Sequence, residues 1–218
     1  MIARVALHAV VFDFGEVLVD EGREYGTWAD WLGVPRHTFS AVLGATIARG
    51  EDHRRAFLCF RPDFDLEVER RRRDEAGLPQ AFAAEDIYPD VPPCLERLRA
   101  RGLLLGAVGN QPARSEQLLR ALDLPLDWIA TSAGWEVEKP APAFFERIAA
   151  ECRCPPGQIA YVGDRLDNDV RPALAAGMVA VFLRRGPWGY LQASDPEVHR
   201  AHVRIESLEE LPGRLAGL

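Results

Sequence analysis

Short apolar runs rich in β-branched residues recur along the chain and predict buried strands. The first covers residues 10–12 and ends at a carboxylate, Asp13. Further runs lie at residues 103–108, 128–132, 158–162 and 179–183, with a weaker one at 203–205. Apart from the weaker one, these runs are continuous rather than alternating with polar residues, which is typical of strands buried on both faces, as in a parallel sheet.

From residue 89 onward, segments with apolar residues at helical spacing separate these runs. They predict helices at residues 91–100, 114–122, 144–150 and 170–176, and a last one from Leu208. Strands that alternate with helices form βαβ units with right-handed crossovers. The expected fold is therefore α/β, a Rossmann-like parallel sheet with helices on both faces.

The stretch between the first strand and residue 89 has a different character. Its apolar residues fall at helical spacing throughout, and no strand signal interrupts them. We therefore expect an all-helical domain at residues 25–88, inserted into an α/β core domain formed by residues 1–24 and 89–218.

Two features of the helical domain could be mistaken for binding sites. The arginines at 70–73 are flanked by acidic residues at helical spacing, which is typical of a solvated helix face rather than of a phosphate or nucleic-acid site. Trp28 and Trp31 also lie at helical spacing, and we interpret them as packing residues.

Composition narrows the range of partners. The chain has 218 residues, of which 48% are hydrophobic, and a formal net charge of −7. This acidic balance argues against nucleic acid or an anionic membrane as the main partner.

The four cysteines are scattered and lack the spacing of a structural zinc site. No apolar run is long enough to span a bilayer, and the first residues lack a signal-peptide cleavage site, so we expect a cytoplasmic protein.

The ends of the predicted strands carry residues able to do chemistry. In chain order these are Asp13, Gly109, Asn110, Lys139, Asp164 and Asp169. The carboxyl ends of parallel strands share one edge of the sheet, where ligands bind in open α/β folds, so we expect these groups in one crevice. Clustered carboxylates repel one another unless a cation is present, and oxygen ligands of this kind suit Mg²⁺.

Four segments together resemble the motifs of the haloacid dehalogenase-like (HAD) superfamily. They are F-D-F-G-E-V-L-V-D from Phe12, G-N-Q from Gly109, E-K-P-A-P-A-F-F from Glu138 and G-D-R-L-D-N-D-V from Gly163. Their order and spacing match over the whole chain, and the helical insertion resembles the superfamily's C1-type cap.

The resemblance implies a Mg²⁺-dependent hydrolase that acts on a small phosphorylated metabolite. Asp13 would attack phosphorus to form a phosphoaspartyl intermediate, and Lys139 would stabilise both the nucleophile and the phosphate. Gly109, through its backbone N–H, and Asn110, through its amide, would also contact the phosphate.

The same resemblance implies a set of metal ligands. Asp13, Asp164 and the backbone carbonyl of Gly15 would bind Mg²⁺ directly. Asp169 would be a further ligand or would support the other ligands.

Two glycines depart from the superfamily pattern. Gly15 stands where a second aspartate usually serves as general acid and base, a role that contributes about 10²–10⁴-fold to the rate. Gly109 stands where a serine or threonine usually donates a hydrogen bond to the phosphate, and loss of such a donor costs about 10²-fold or more. A phosphatase with both changes is expected to be slow or selective in its leaving group.

Two alternatives follow from these glycines. One is a non-catalytic or weakly active protein of the same fold that binds a phosphorylated ligand or a partner. The other is a metal-independent haloacid dehalogenase, since dehalogenases of this superfamily also lack the second aspartate. The retained Asp164 and Asp169 favour the metal-dependent phosphatase over both.

Overall fold

A computed structural model describes residues 6–218, which divide into two compact units. One unit comprises the chain up to Asp20 together with Ala83–Leu218, and the other comprises Glu21–Phe82. The first five residues of the predicted core domain lie outside the described residues.

The unit Glu21–Phe82 is helical. Its helices are α1 (Gly22–Leu32), α2 (Arg36–Ala48), α3 (Arg55–Leu58) and α4 (Leu66–Glu75). Its centre is a group of aromatic rings from Trp28, Phe39, Phe57 and Phe64, with neighbouring centroids 4.6–5.8 Å apart. Edge-to-face and offset contacts at this spacing are favourable beyond the area that they bury.

One arginine of the 70–73 run departs from the solvated face that the sequence predicts. Arg73 is buried, its guanidinium lies 4.0 Å from the centroid of the Trp28 ring, and its Nη1 is 3.0 Å from Glu24 Oε1. The carboxylate and the aromatic face together compensate the buried charge. The partner glutamate lies on another helix, which local spacing does not reveal.

The larger unit is built on a parallel sheet of six strands. The strands are β1 (Ala9–Phe12), β2 (Leu104–Gly109), β3 (Trp128–Thr131), β4 (Ile159–Gly163), β5 (Val179–Leu183) and β6 (Val203–Ile205). Their order in the sheet is β3-β2-β1-β4-β5-β6, and every neighbouring pair is parallel. The predicted Rossmann-like α/β fold is confirmed.

Helices surround this sheet. They are α5 (Val91–Arg99), α6 (Ala113–Arg120), α7 (Ser132–Trp135), α8 (Pro142–Cys152), α9 (Arg171–Ala175), α10 (Gly186–Gln192) and α11 (Leu211–Ala216). Short 3₁₀ turns lie at Ala84–Asp86, Pro156–Gln158, Pro196–Arg200 and Leu208–Glu210, and a π-helical turn at Leu166–Val170. No helix within residues 6–218 combines the length and the apolar character needed to cross a bilayer.

The sheet order determines where a site can form. The chain moves from β1 to β2 and β3 on one side of β1, then returns to place β4, β5 and β6 on the other side. The reversal opens a crevice at the carboxyl ends of β1 and its neighbours, where ligands bind in folds of this type.

Candidate active site

Asp13 follows directly after β1, at the sheet edge where the strand order reverses. Its backbone N–H donates to the carbonyl of Val162 in β4 (2.9 Å), so Asp13 continues the hydrogen bonding between β1 and β4. Its side-chain Oδ1 accepts a hydrogen bond from the backbone N–H of Phe14 (2.8 Å). The carboxylate is thus held in one orientation at the end of a fully buried strand.

Lys139 reaches the same place from the loop after β3. Its Nζ lies 2.8 Å from Asp13 Oδ2 and 2.6 Å from Asp169 Oδ1, and only 2% of its side chain is exposed. Burial opposes the positive charge, but the carboxylates of Asp13 and Asp169 outweigh it and hold the pKa of Lys139 well above its ordinary value. Lys139 is therefore a permanent cation next to Asp13.

Asn110 fixes the Lys139 loop rather than pointing freely into the crevice. Its Nδ2 donates to the backbone carbonyl of Lys139 (2.9 Å), and its Oδ1 accepts from the backbone N–H of the same residue (2.8 Å). Both ends of the side-chain amide are engaged with protein backbone. The predicted contact between Asn110 and phosphate stays a prediction.

Asp164 and Asp169 lie in the segment that follows β4. Asp169 accepts a hydrogen bond from Lys139 through Oδ1 and another from the backbone N–H of Arg165 through Oδ2 (3.0 Å). A Cβ atom at Gly163 would lie 2.3 Å from the Asp169 carboxyl carbon, so the glycine makes room for this side chain. Burial raises the pKa of Asp169 to about 6, although Lys139 opposes the shift.

Asp164 is the least compensated of the carboxylates. It is buried, and within residues 6–218 its Oδ2 has no hydrogen-bond partner. Burial, and then the charges of Asp169 and Asp13, raise its pKa well above the ordinary value. A buried oxygen atom without a hydrogen-bond partner destabilises the folded protein, and a bound ligand at this atom would remove that cost.

The three aspartates fit a divalent cation. Asp13, Asp164 and Asp169 each present an oxygen atom, and these atoms lie within 4.8 Å of one another. Carboxylate oxygens are the ligands that Mg²⁺ prefers, and the unpartnered Oδ2 of Asp164 offers it a coordination position. Gly15 lies in the loop just beyond Asp13, where it pairs with Val19 in a β-bridge, and its role as a backbone ligand stays a prediction.

Gly109 packs directly against the Asp13 carboxylate. A Cβ atom at this position would lie 2.4 Å from Asp13 Oδ1 and 3.1 Å from Cδ2 of Phe14. The orientation of Asp13 therefore requires a residue without a side chain at the end of β2. A serine or threonine there would need Asp13 to move.

Residues that the sequence interpretation did not single out support this cluster. Tyr161, in β4, lies beneath it, with its hydroxyl 3.5 Å from Asp169 Oδ1 and with Lys139 Nζ 5.8 Å from its ring centroid. Gln192 accepts a hydrogen bond from the backbone N–H of Leu166 (2.7 Å), which steadies the turn before Asp169. The sequence feature that could have identified Tyr161 is its position as a polar aromatic residue inside an otherwise aliphatic strand.

Comparisons with known proteins find similarity to one hydrolase family and to phosphatases. The sequence model of a hydrolase family, the haloacid dehalogenase-like hydrolases, matches residues 7–177. A glyceraldehyde 3-phosphate phosphatase of Methanopyrus kandleri is 37% identical over 139 residues, which are 60% of this chain and 60% of that protein. A phosphoglycolate phosphatase of Escherichia coli is 36% identical over 128 residues, or 57% of this chain and 49% of that protein.

A solved structure extends the likeness over almost the whole chain. The crystal structure of a HAD phosphatase from Thermococcus onnurineus superposes with a TM-score of 0.61 at 27% identity, covering 97% of this chain and 99% of that one. By contrast, the matches to the two curated relatives cover only 60% and 49% of those proteins.

Proposed function

This chain belongs to the haloacid dehalogenase-like hydrolase family, and from that premise we propose that it is a Mg²⁺-dependent phosphatase acting on a small phosphomonoester. The curated relatives named as phosphatases of glyceraldehyde 3-phosphate and phosphoglycolate support a small phosphorylated metabolite as substrate. The helical unit Glu21–Phe82 is the candidate for the C1-type cap that the sequence resemblance implies.

The observation that carries the proposal is the buried pair of Asp13 and Lys139 beside the unpartnered oxygen of Asp164. Asp13 would attack phosphorus through a carboxylate oxygen, forming a phosphoaspartyl group as the alcohol leaves, and water would then hydrolyse that group. Lys139, a permanent cation, would lower the repulsion between the carboxylate and the phosphate dianion.

Asp13, Asp164 and the carbonyl of Gly15 would hold the cation. When bound, Mg²⁺ would neutralise charge on the phosphate and on Asp13. Both carboxylate oxygens of Asp169 accept hydrogen bonds, from Lys139 and from the backbone of Arg165, which favours a role in orienting Lys139.

The two glycines would limit the rate. With Gly15 in place of an acid, the leaving alcohol receives no proton from that position, so substrates with good leaving groups should react fastest. Gly109 contributes no hydroxyl donor to the phosphate, which leaves its backbone N–H and Lys139 as candidate donors.

A phosphate-release screen tests the proposal. Wild-type protein is assayed on a panel of small phosphomonoesters with Mg²⁺ and with chelator, beside Asp13→Asn and Asp167→Asn. Asp167 is a matched control because its half-exposed carboxylate lies on the same segment as the site but pairs with Arg165. We expect metal-dependent release that is lost in Asp13→Asn and retained in Asp167→Asn.

Other outcomes would reject the phosphatase. Chloride release from 2-haloacids that survives chelation would establish the dehalogenase instead. Ligand-dependent thermal stabilisation with no turnover on any substrate would establish a binding protein.

A further inference from the structure

The backbone just after the candidate nucleophile folds into one tight loop. The carbonyl of Phe14 accepts hydrogen bonds from the backbone N–H groups of Leu18 (2.9 Å) and Val19 (3.1 Å). Phe14 in turn donates its own backbone N–H to Asp13 Oδ1 (2.8 Å). The orientation of Asp13 therefore depends on the conformation of residues 14–19, which we call the nucleophile loop.

The nucleophile loop has a strained backbone. At Glu16 the φ angle is 57°, in the left-handed region that L-residues other than glycine and asparagine rarely adopt. Strain of this kind persists only where surrounding contacts hold the backbone, and it clusters at functional sites. The contacts that hold this loop from elsewhere in the fold are therefore of interest for the site.

Arg185, just after β5, supplies such contacts. Its Nη1 donates to the carbonyl of Val17 (3.0 Å), 168 residues away in the chain. Its guanidinium lies 4.1 Å from the centroid of the Tyr88 ring, and the hydroxyl of Tyr88 donates to Glu16 Oε2 (2.7 Å). Arg185 thus contacts the nucleophile loop directly through Val17 and indirectly through Tyr88.

Asp90 fixes the other side of the guanidinium. Its Oδ2 pairs with Nη2 of Arg185, and it also accepts from Ser207 Oγ (2.8 Å) and from the backbone N–H of Leu208 (2.9 Å). Burial opposes the charge of Asp90, but the hydrogen bonds from these three donors outweigh it and hold its pKa below the ordinary value. The Arg185 side chain, which is only 12% exposed, is therefore held against the segment that follows β6.

We propose that Arg185 is a positioning residue of the candidate active site, holding the nucleophile loop, and through it Asp13, in the orientation required for attack. Arg185 acts through the carbonyl of Val17 and the N–H of Phe14 rather than on the reacting atoms. A buried ion pair adds little net stability compared with apolar residues of similar size, so the contribution of the Arg185–Asp90 pair is the geometry that it fixes. The inference rests on the proposed function in taking Asp13 as the nucleophile.

The contacts of Arg185 need an arginine in particular. A guanidinium presents several N–H donors in fixed directions and stacks on an aromatic face, whereas lysine carries one compact charge on a flexible stem. Arg185→Lys therefore keeps a positive charge opposite Asp90 but cannot also bind Val17 while it stacks on Tyr88. This substitution separates the geometry from the charge.

The catalytic part of the inference is tested by kcat and KM for phosphate release at saturating Mg²⁺. We expect kcat of Arg185→Lys to fall about 10- to 100-fold with little change in KM, because a misplacement of about 1 Å at a reacting group costs up to about 10²-fold. The matched control is Arg184→Lys. Arg184 is the neighbouring arginine, its side chain is 38% exposed and it pairs with Glu206 (2.7 Å), so its variant should keep the wild-type kcat.

The order of the nucleophile loop is measured separately, by amide hydrogen exchange in the metal-free full chain. We expect the amides of Leu18 and Val19 to exchange about tenfold faster in Arg185→Lys than in the wild type, the effect of losing one hydrogen bond from a charged donor. Amides within β2 should exchange at the wild-type rate, which would exclude a general loss of stability.

A double variant distinguishes positioning from stabilisation. Arg185→Met leaves the buried charge of Asp90 without its partner and should lower the melting temperature. Adding Asp90→Asn removes that charge and keeps an oxygen that accepts from Ser207 and Leu208. We expect the double variant to regain thermal stability over Arg185→Met, while its kcat stays low because the contact with Val17 is still missing.

Three results would overturn the inference. Unchanged exchange at Leu18 and Val19 in Arg185→Lys would show that Arg185 does not order the loop, whatever the kcat. A wild-type kcat in Arg185→Lys, or a kcat that recovers with stability in the double variant, would leave Arg185 only a structural role. If the wild-type chain releases no phosphate from any substrate, the proposed function fails and the catalytic role of Arg185 fails with it, while exchange still decides whether Arg185 orders the loop.

Discussion

Replacing Gly109 by alanine tests whether the nucleophile needs an empty position beside it. The added Cβ atom would lie 2.4 Å from Asp13 Oδ1, whereas ordinary van der Waals contact begins at 3.4 Å, so one of the two must move by about 1 Å. Gly109 lies in β2, paired with its neighbour β3, so the side chain of Asp13 is the more mobile partner.

The expected effect on catalysis follows from that displacement. Moving Asp13 would disturb its contacts with Lys139 Nζ and with the backbone N–H of Phe14. A misplacement of about 1 Å at a reacting group costs about 10²-fold in rate, so we expect phosphate release by Gly109→Ala to fall about 100-fold at saturating Mg²⁺. The rate of phosphate release by Gly109→Ser should not exceed that of the wild type, because the Cβ atom of serine brings the same clash.

The assay is kcat/KM for phosphate release, with Gly213→Ala as the matched control. Gly213 lies in α11 and a Cβ atom there meets no atom within 4 Å, so its variant should retain wild-type activity. Wild-type activity in Gly109→Ala, or a gain of more than about tenfold in Gly109→Ser, where a hydroxyl donor to the phosphate is restored, would refute the steric reasoning.

Three more variants test the cluster by urea unfolding and thermal melting. Lys139→Met leaves the carboxylates of Asp13 and Asp169 without their buried cation, so the metal-free protein should lose about 3–5 kcal/mol of unfolding free energy; a loss below 1 kcal/mol would contradict the buried pair. Asp164→Asn removes the unpartnered charge, so Mg²⁺ should no longer raise the melting temperature, while the metal-free protein melts no lower than the wild type; a retained Mg²⁺ shift would exclude Asp164 as a ligand. Asn110→Ala removes two hydrogen bonds to the backbone of Lys139 and should cost about 2 kcal/mol; a cost near zero would show that the loop does not depend on them.

The sheet was predictable because its information is local. Strands β1 to β5 are largely apolar runs, and runs of that kind are typical of strands buried on both faces of a parallel sheet, whereas β6 has the exposed Arg204 between two buried residues. Helix α10 escaped prediction because Gly186 and Pro187 at its start have the composition of a turn. Proline in the first turn of a helix is in fact favourable, since its missing N–H has no partner there anyway.

The polar contacts around the site were not predictable in the same way. The sequence placed Asp13 and Asp164 at strand ends, but gave no indication that Asn110 would use both ends of its amide on the backbone of Lys139. Likewise, the hydroxyl of Tyr88 donates a hydrogen bond to Glu16, 72 residues away in the chain, and the residues next to either one do not indicate this contact.

By itself, then, the sequence determined the α/β sheet and the group of acids at one sheet edge, because hydrophobic burial and parallel strand direction follow from patterns within each segment. Its four motifs, and not these patterns, carried the resemblance to the family. Tertiary structure alone decided which atoms pair: Lys139 with two aspartates, Asp164 Oδ2 with none of the described residues, and Asp13 against the bare backbone of Gly109. Hydrogen bonds and ion pairs depend on distances of a few tenths of an ångström between segments far apart in the chain, and only the packed fold sets those distances.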